Sequence, residues 1–78
     1  MTDAYVNIVA EPGAVMDVAR EVGELDEVAS VHVVTGEYDL IAQLELDDPD
    51  DLPTVVAESI HGIQGIAATY TNVAYDPR

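Results

Sequence analysis

The sequence predicts a small α+β domain with four antiparallel strands and two helices in the order βαββαβ. Three observations lead there. Apolar residues alternate between the two-residue period of strands and the three-and-four spacing of helices in that order. The chain repeats itself weakly at a spacing of 35 residues, so each half reads as strand–helix–strand. The halves meet in a short glycine-containing connection, "TGEYD" (Thr35–Asp39), suited to a hairpin. Two such units joined by a hairpin make the ferredoxin-like arrangement, a four-stranded antiparallel sheet with both helices on one face.

Each element has its own warrant. Residues Ala4–Ala10, "AYVNIVA", are apolar and partly β-branched, as a strand requires. Glu11-Pro12-Gly13 punctuates, and Pro12 suits a first helical turn, where its missing N–H costs nothing. Val15, Val18, Ala19, Val22 and Leu25 then mark one helical face, with Gly23 placing the helix end near Leu25. Val28–Val34 is the second strand and Leu40–Leu46 the third. The acidic run Asp47–Asp51 favours the positive end of a helix dipole, and Asp48 can cap ahead of Pro49. That helix runs to about His61 and buries Leu52, Val55, Val56 and Ile60, with Pro53 tolerated in its first turn. Ile66–Tyr75 is the last strand, and "DPR" is a loose tail. In the repeat, Val6 falls on Ile41, Val22 on Ala57, Leu25 on Ile60, Val28 on Ile63 and Val31 on Ile66.

Strand parity also describes the sheet face away from the helices. Tyr5 and Val9 oppose Val6 and Ile8, and Ile41 opposes Leu40, Ala42, Leu44 and Leu46. Both faces read as substantially apolar, whereas a solvated face alternates more cleanly. The expectation is a homodimer formed through the sheet about a two-fold axis.

Composition narrows the function classes. Seventy-eight residues make one small domain, and 49% hydrophobic content argues against disorder. Sixteen Asp and Glu face two Arg, for a formal net charge of −14. Direct nucleic-acid binding and anionic membrane surfaces are therefore excluded, since both draw on Lys and Arg. The acidity reads either as the solvated surface of a halophilic protein in a salt-rich cytosol or as a face for a basic partner. No apolar run is long enough to span a membrane, and the N-terminus lacks signal-peptide features, so a cytoplasmic location is expected. With no cysteine there is neither a disulfide framework nor a thiolate metal site.

The residues carry no catalytic pattern. Ser30 and Ser59 lack triad spacing, and His32 and His61 read as surface or interface histidines with no metal-ligand spacing. Asp47–Asp51 lacks the spacing and turn glycine of a calcium loop, and "GIQG" is no phosphate loop. No cofactor, metal or catalytic residue is expected. A small enzyme of the dimeric α+β barrel type shares this topology, but Tyr5 and His32 would be its only guesses. The hairpin is different. Gly36 supplies the positive φ of a turn, yet a plain turn does not need Glu37, Tyr38 and Asp39 together. A carboxylate beside free backbone amides and carbonyls suits a zwitterion. Thr69 and Thr71 place two hydroxyls on one side of the last strand, flanking Tyr70.

Taken together, "AYVNIVAEPG", "LDEVASVHVVTGEYDLIAQLEL" and "IHGIQGIAATYTNV" resemble the effector-binding (RAM) domain of the Lrp/AsnC transcriptional regulators across nearly the whole chain. The carrying features are a valine-rich strand, Gly-acid-Tyr-Asp, an apolar strand, and a later Gly-Ile-x-x-Thr-x-Thr. The resemblance implies a ferredoxin-like domain that dimerises through its sheet, often assembles into rings, commonly of eight, and binds amino-acid effectors between dimers. By it, Gly36, Glu37, Tyr38 and Asp39 correspond to the hairpin motif, and Thr69 and Thr71 to the last-strand polar pair. Full-length regulators carry a helix-turn-helix ahead of this domain. Here residues 1–78 read as a single effector-binding domain without one, which implies amino-acid sensing and mixed assembly with full-length Lrp/AsnC regulators. A ligand-free structural partner and an ACT-like amino-acid sensor are the alternatives. Asp39 is left two jobs, to anchor an ammonium or to brace the hairpin backbone.

Overall fold

A computed structural model of the chain describes residues 2–75 and 77. Its strands are β1 (Thr2–Ala10), β2 (Val28–Val33), β3 (Leu40–Leu46) and β4 (Ile66–Ala74). They form one four-stranded sheet in the order β2-β3-β1-β4, and every neighbouring pair is antiparallel. Helix α1 (Val15–Gly23) joins β1 to β2, and a second helical segment, α2 (49–60), joins β3 to β4. This is the expected ferredoxin-like topology.

Strand parity sorts the sheet into two faces. Ala4, Val6, Ile8 and Ala10 of β1 and Leu40, Ala42, Leu44 and Leu46 of β3 are all buried. They pack with Val18 and Val22 of α1 and with Leu52, Val55 and Ile60 of α2. Burying a large aliphatic side chain contributes about 1.5–3 kcal/mol, so these central strands carry most of the cohesion. The opposite face corrects the apolar reading. Beside Tyr5, Val9 and Ile41 it holds Asn7, Gln43, Tyr70, Asn72 and, on β2, Ser30 and His32. It is a mixed aromatic and amide surface.

The helix ends differ in detail from the sequence reading. Pro12 lies in the turn before α1, which starts at Val15 and ends at Gly23. Asp48 does cap, accepting the N–H of Asp50 at 2.9 Å. Beyond it α2 is not one regular helix. It begins as a tight turn over Pro49–Asp51, passes through Leu52–Thr54, and widens over Val55–Ile60. The His61 N–H reaches the Val56 carbonyl at 3.0 Å, a five-residue step. β4 ends at Ala74, one residue before the expected Tyr75. In the tail, Asp76 and Arg78 lie outside the described residues.

The repeat holds for topology but slips by one residue in the first strand of each half. Val6 is buried toward the helices and pairs with Ala42, while Ile41, its counterpart in the repeat, faces away from them. A one-residue shift in a strand reverses the face, so the match of Val6 with Ile41 is not a packing equivalence.

Candidate functional site

The hairpin between β2 and β3 is tied down by its own backbone. Val34 donates its N–H to the Asp39 carbonyl, and Asp39 donates its N–H to the Ile8 carbonyl, both at 2.9 Å. The Asp39 side chain adds a third tie, its Oδ2 accepting the Ala10 N–H at 2.9 Å. Gly36 sits at φ +115°, the conformation that leaves a Cβ strained, so its glycine is explained by the turn. Glu37 is exposed at the tip.

Tyr38 leaves the hairpin to meet β4. Its ring centroid lies 5.6 Å from that of Tyr70, tilted by 49°, a favourable aromatic geometry. Tyr70 pairs in register with Asn7 on the face away from the helices, and the Asn7 side-chain amide donates to the Tyr70 carbonyl at 3.3 Å. The aromatic half of the site therefore belongs to the open sheet face.

The two threonines belong to the other face. Thr69, half-buried, pairs with Ile8, and Thr71, exposed, with Val6; Ile8 and Val6 are themselves buried toward the helices. Thr69 Oγ1 lies 2.8 Å from His61 Nε2, at the exit of α2. Thr71 joins His61 in a groove of about 370 Å³ between α2 and β4, otherwise lined by Leu52, Pro53, Val56, Ala57 and Val73. In a single chain the six expected site residues are thus divided. Gly36, Glu37, Tyr38 and Asp39 lie at the hairpin, while Thr69 and Thr71 lie beneath the sheet beside α2.

His61 is exposed, in keeping with a surface or interface histidine, but its place beside a groove was not among the sequence expectations. The signal was the parity of β4, which turns both threonines toward the helix layer, and the wide last turns of α2, which bring His61 over them. Among the described residues, no three His, Asp or Glu side chains converge as a metal site. No helix among them is long and apolar enough to cross a membrane.

The chain has clear relatives. An uncharacterized HTH-type transcriptional regulator of Pyrococcus abyssi, PYRAB01370, is 34% identical over 70 residues, which is 90% of this chain and 44% of that protein. The chain thus spans less than half the length of that relative. The crystal structure of TTHA0845 from Thermus thermophilus superposes with a TM-score of 0.93 at 35% identity, covering 100% of this chain and 98% of that one. The transcriptional regulator NMB0573 of Neisseria meningitidis, solved as a complex with L-Met, has the same fold. Its TM-score is 0.86 at 20% identity, over 97% of this chain and 51% of that one. The family model described as the Lrp/AsnC ligand binding domain matches residues 3–77. With that match over its whole βαββαβ sheet, this chain belongs to the Lrp/AsnC ligand-binding domain family.

Proposed function

We propose that this domain is a non-enzymatic sensor of an amino-acid effector and acts on transcription through assembly. The family is one of transcriptional regulators. The observation that carries the reading is the division of the site. The hairpin with Tyr38 and the groove with Thr71 lie on opposite faces of one sheet. One copy does not close both sets around one small ligand. Two copies do, if the hairpin of one meets the groove of another. Ligand binding then favours the assembly that completes the pocket, which is how an effector shifts an oligomer.

In this reading the copies dimerise through the open sheet face and the dimers join into a higher ring. Full-length Lrp/AsnC regulators are the natural mixed partners, and they supply the DNA contact that a chain with net charge −14 is unsuited to make. NMB0573 was solved with L-Met, which supports an amino acid as the effector class here. Asp39 takes the bracing job, because its Oδ2 already serves the Ala10 N–H.

Titration calorimetry against the twenty amino acids, with light scattering on each mixture, tests the proposal. Saturable heat from one amino acid with a change in mass is the expected result. Assembly that is complete and indifferent to every amino acid sinks the sensing role and leaves a structural co-assembly partner.

A further inference from the structure

We infer that the wide turn of α2 is a one-residue insertion that holds the groove between α2 and β4 open. That role stands whether or not an effector enters the groove. The repeat supplies an internal control, since α1 leads from β1 to β2 as α2 leads from β3 to β4. On α1 the buried residues are Val18 and Val22, four apart. On the wide turn they are Val55 and Ile60, five apart. Four steps along a regular helix return to within about 40° of the starting face, and five miss it by about 140°. A five-residue hydrogen bond, such as His61 to Val56, brings Ile60 back over Val55. The offset between the halves therefore grows by one residue across this turn, from Val18 and Val55 to Val22 and Ile60. It keeps the larger value at the first residues of the next strands, Val28 and Ile66.

The extra residue goes with a difference in how helix meets strand. α1 closes on β2, where a Cβ on Gly23 would lie 3.3 Å from Val31 Cγ1. α2 stands off β4, and the space between them is the groove of about 370 Å³. On the helix side its wall includes Val56, Ala57 and His61, which belong to the wide turn or follow it directly. Thr71 and Val73 form the strand side. The exit of the turn is shaped for it as well. A Cβ on Gly62 would lie 2.8 Å from the Glu58 carbonyl oxygen, so the chain leaves through a space that fits glycine alone. A wide turn gives up regular helical hydrogen bonding, and such insertions recur at functional sites. Here it opens space beside β4 while both core anchors of α2 stay buried.

Deletion of Glu58 from the full chain tests this. Val55 and Ile60 then stand four apart, and the His61 to Val56 bond becomes an ordinary helical one, so the anchors of α2 keep their places. Glu58 is exposed and does not line the groove, and Glu58→Gln controls for the loss of its charge. Deletion of Ser59 makes the same change of register at a second position. Three measurements in molar KCl are compared with the parent: thermal melts by circular dichroism, relaxation of methyl protons by a soluble nitroxide in NMR, and a crystal structure. Either deletion should melt no lower than the parent. The Thr71 and Val73 methyls should lose their relaxation by the nitroxide, and the crystal structure should show a regular helix with the groove closed. Two results would overturn the inference. One is a fall in melting temperature in both deletions beside an unchanged Glu58→Gln, which makes the wide turn a requirement of the core. The other is a deletion that melts with the parent and leaves both methyls as accessible as before, which separates the extra residue from the groove.

Discussion

The carboxylate of Asp39 accepts the backbone N–H of Ala10 at 2.9 Å, across 29 residues of chain. Ala10 is where β1 turns away toward α1, and Asp39 is where the hairpin enters β3. One side chain thus joins the end of a central strand to the start of its neighbour. The Asp39 N–H on the Ile8 carbonyl doubles the tie.

Replacing Asp39 with Ala should therefore cost stability before it costs anything else. A hydrogen bond to a charged acceptor contributes about 1.5–3 kcal/mol, and this one is only part-buried, so a loss of about 1–2 kcal/mol is expected. Asp39→Asn keeps an acceptor oxygen and should lose less. Urea unfolding in molar KCl, followed by circular dichroism, gives both values. An Asp39→Ala chain as stable as the parent would return the carboxylate to ligand binding.

Gly65 should be far less replaceable than Gly13. Both have positive φ, +102° and +83°. A Cβ on Gly65 would meet Ala14 Cβ at 3.0 Å and Val18 Cγ2 at 3.1 Å, whereas one on Gly13 meets nothing within 4 Å. Each alanine loses about 1–2 kcal/mol to the left-handed backbone. Gly65→Ala adds the overpacking of α1 against the start of β4, about 1–3 kcal/mol. The same urea titration should rank Gly65→Ala below Gly13→Ala by at least about 1 kcal/mol. Equal losses would mean that α1 yields freely at this contact.

Much of this architecture was legible because it follows from short periods. The alternation in β1 and β3 grouped Val6 with Ile8 and Leu40 with Leu44 on one face of each strand, and all four are buried. Gly36 announced the hairpin, and Asp48 announced the cap of α2. What failed depended on distant parts of the chain. The wide turns over Val55–Ile60 answer to packing, not to local preference, and nothing in "VVAESI" marks them. His61 meets Thr69 only because α2 exits over an edge strand. The mixed character of the open face, by contrast, was readable. Asn7 and Gln43 alternate with core residues in β1 and β3, and Asn72 lies on the same face of β4, opposite Tyr5.

Stability should rise steeply with salt. The net charge is −14, and the Arg20–Asp17 ion pair at 3.2 Å is exposed on both sides. Such a helical pair contributes about 0.2–0.5 kcal/mol, too little to offset repulsion among sixteen acids. Raising salt from about 0.1 M to about 1 M shortens the screening length from about 10 Å to about 3 Å. Relief of even ~2 kcal/mol raises the melting temperature of a domain this size by about 8–16 °C. Thermal melts across a KCl series should show that rise. A flat series would point to a basic partner as the reason for the acidity.

Charge placed on the open sheet face should separate copies that charge elsewhere leaves together. Tyr5 is 38% exposed and sits between Gln43 and Asn72, near the middle of that face. In a two-fold interface each substitution occurs twice, so a glutamate near the axis faces its own copy across the contact. Burying such a pair without a counter-charge is strongly unfavourable. Tyr5→Glu should therefore run at the mass of one chain by light scattering in molar KCl, where the parent is expected to run as a dimer or larger. Met16→Glu is the control, since Met16 is 69% exposed on α1, away from the sheet face. A Tyr5→Glu chain that keeps the parent's mass, beside a Met16→Glu chain that loses it, would move the interface from the sheet to the helices.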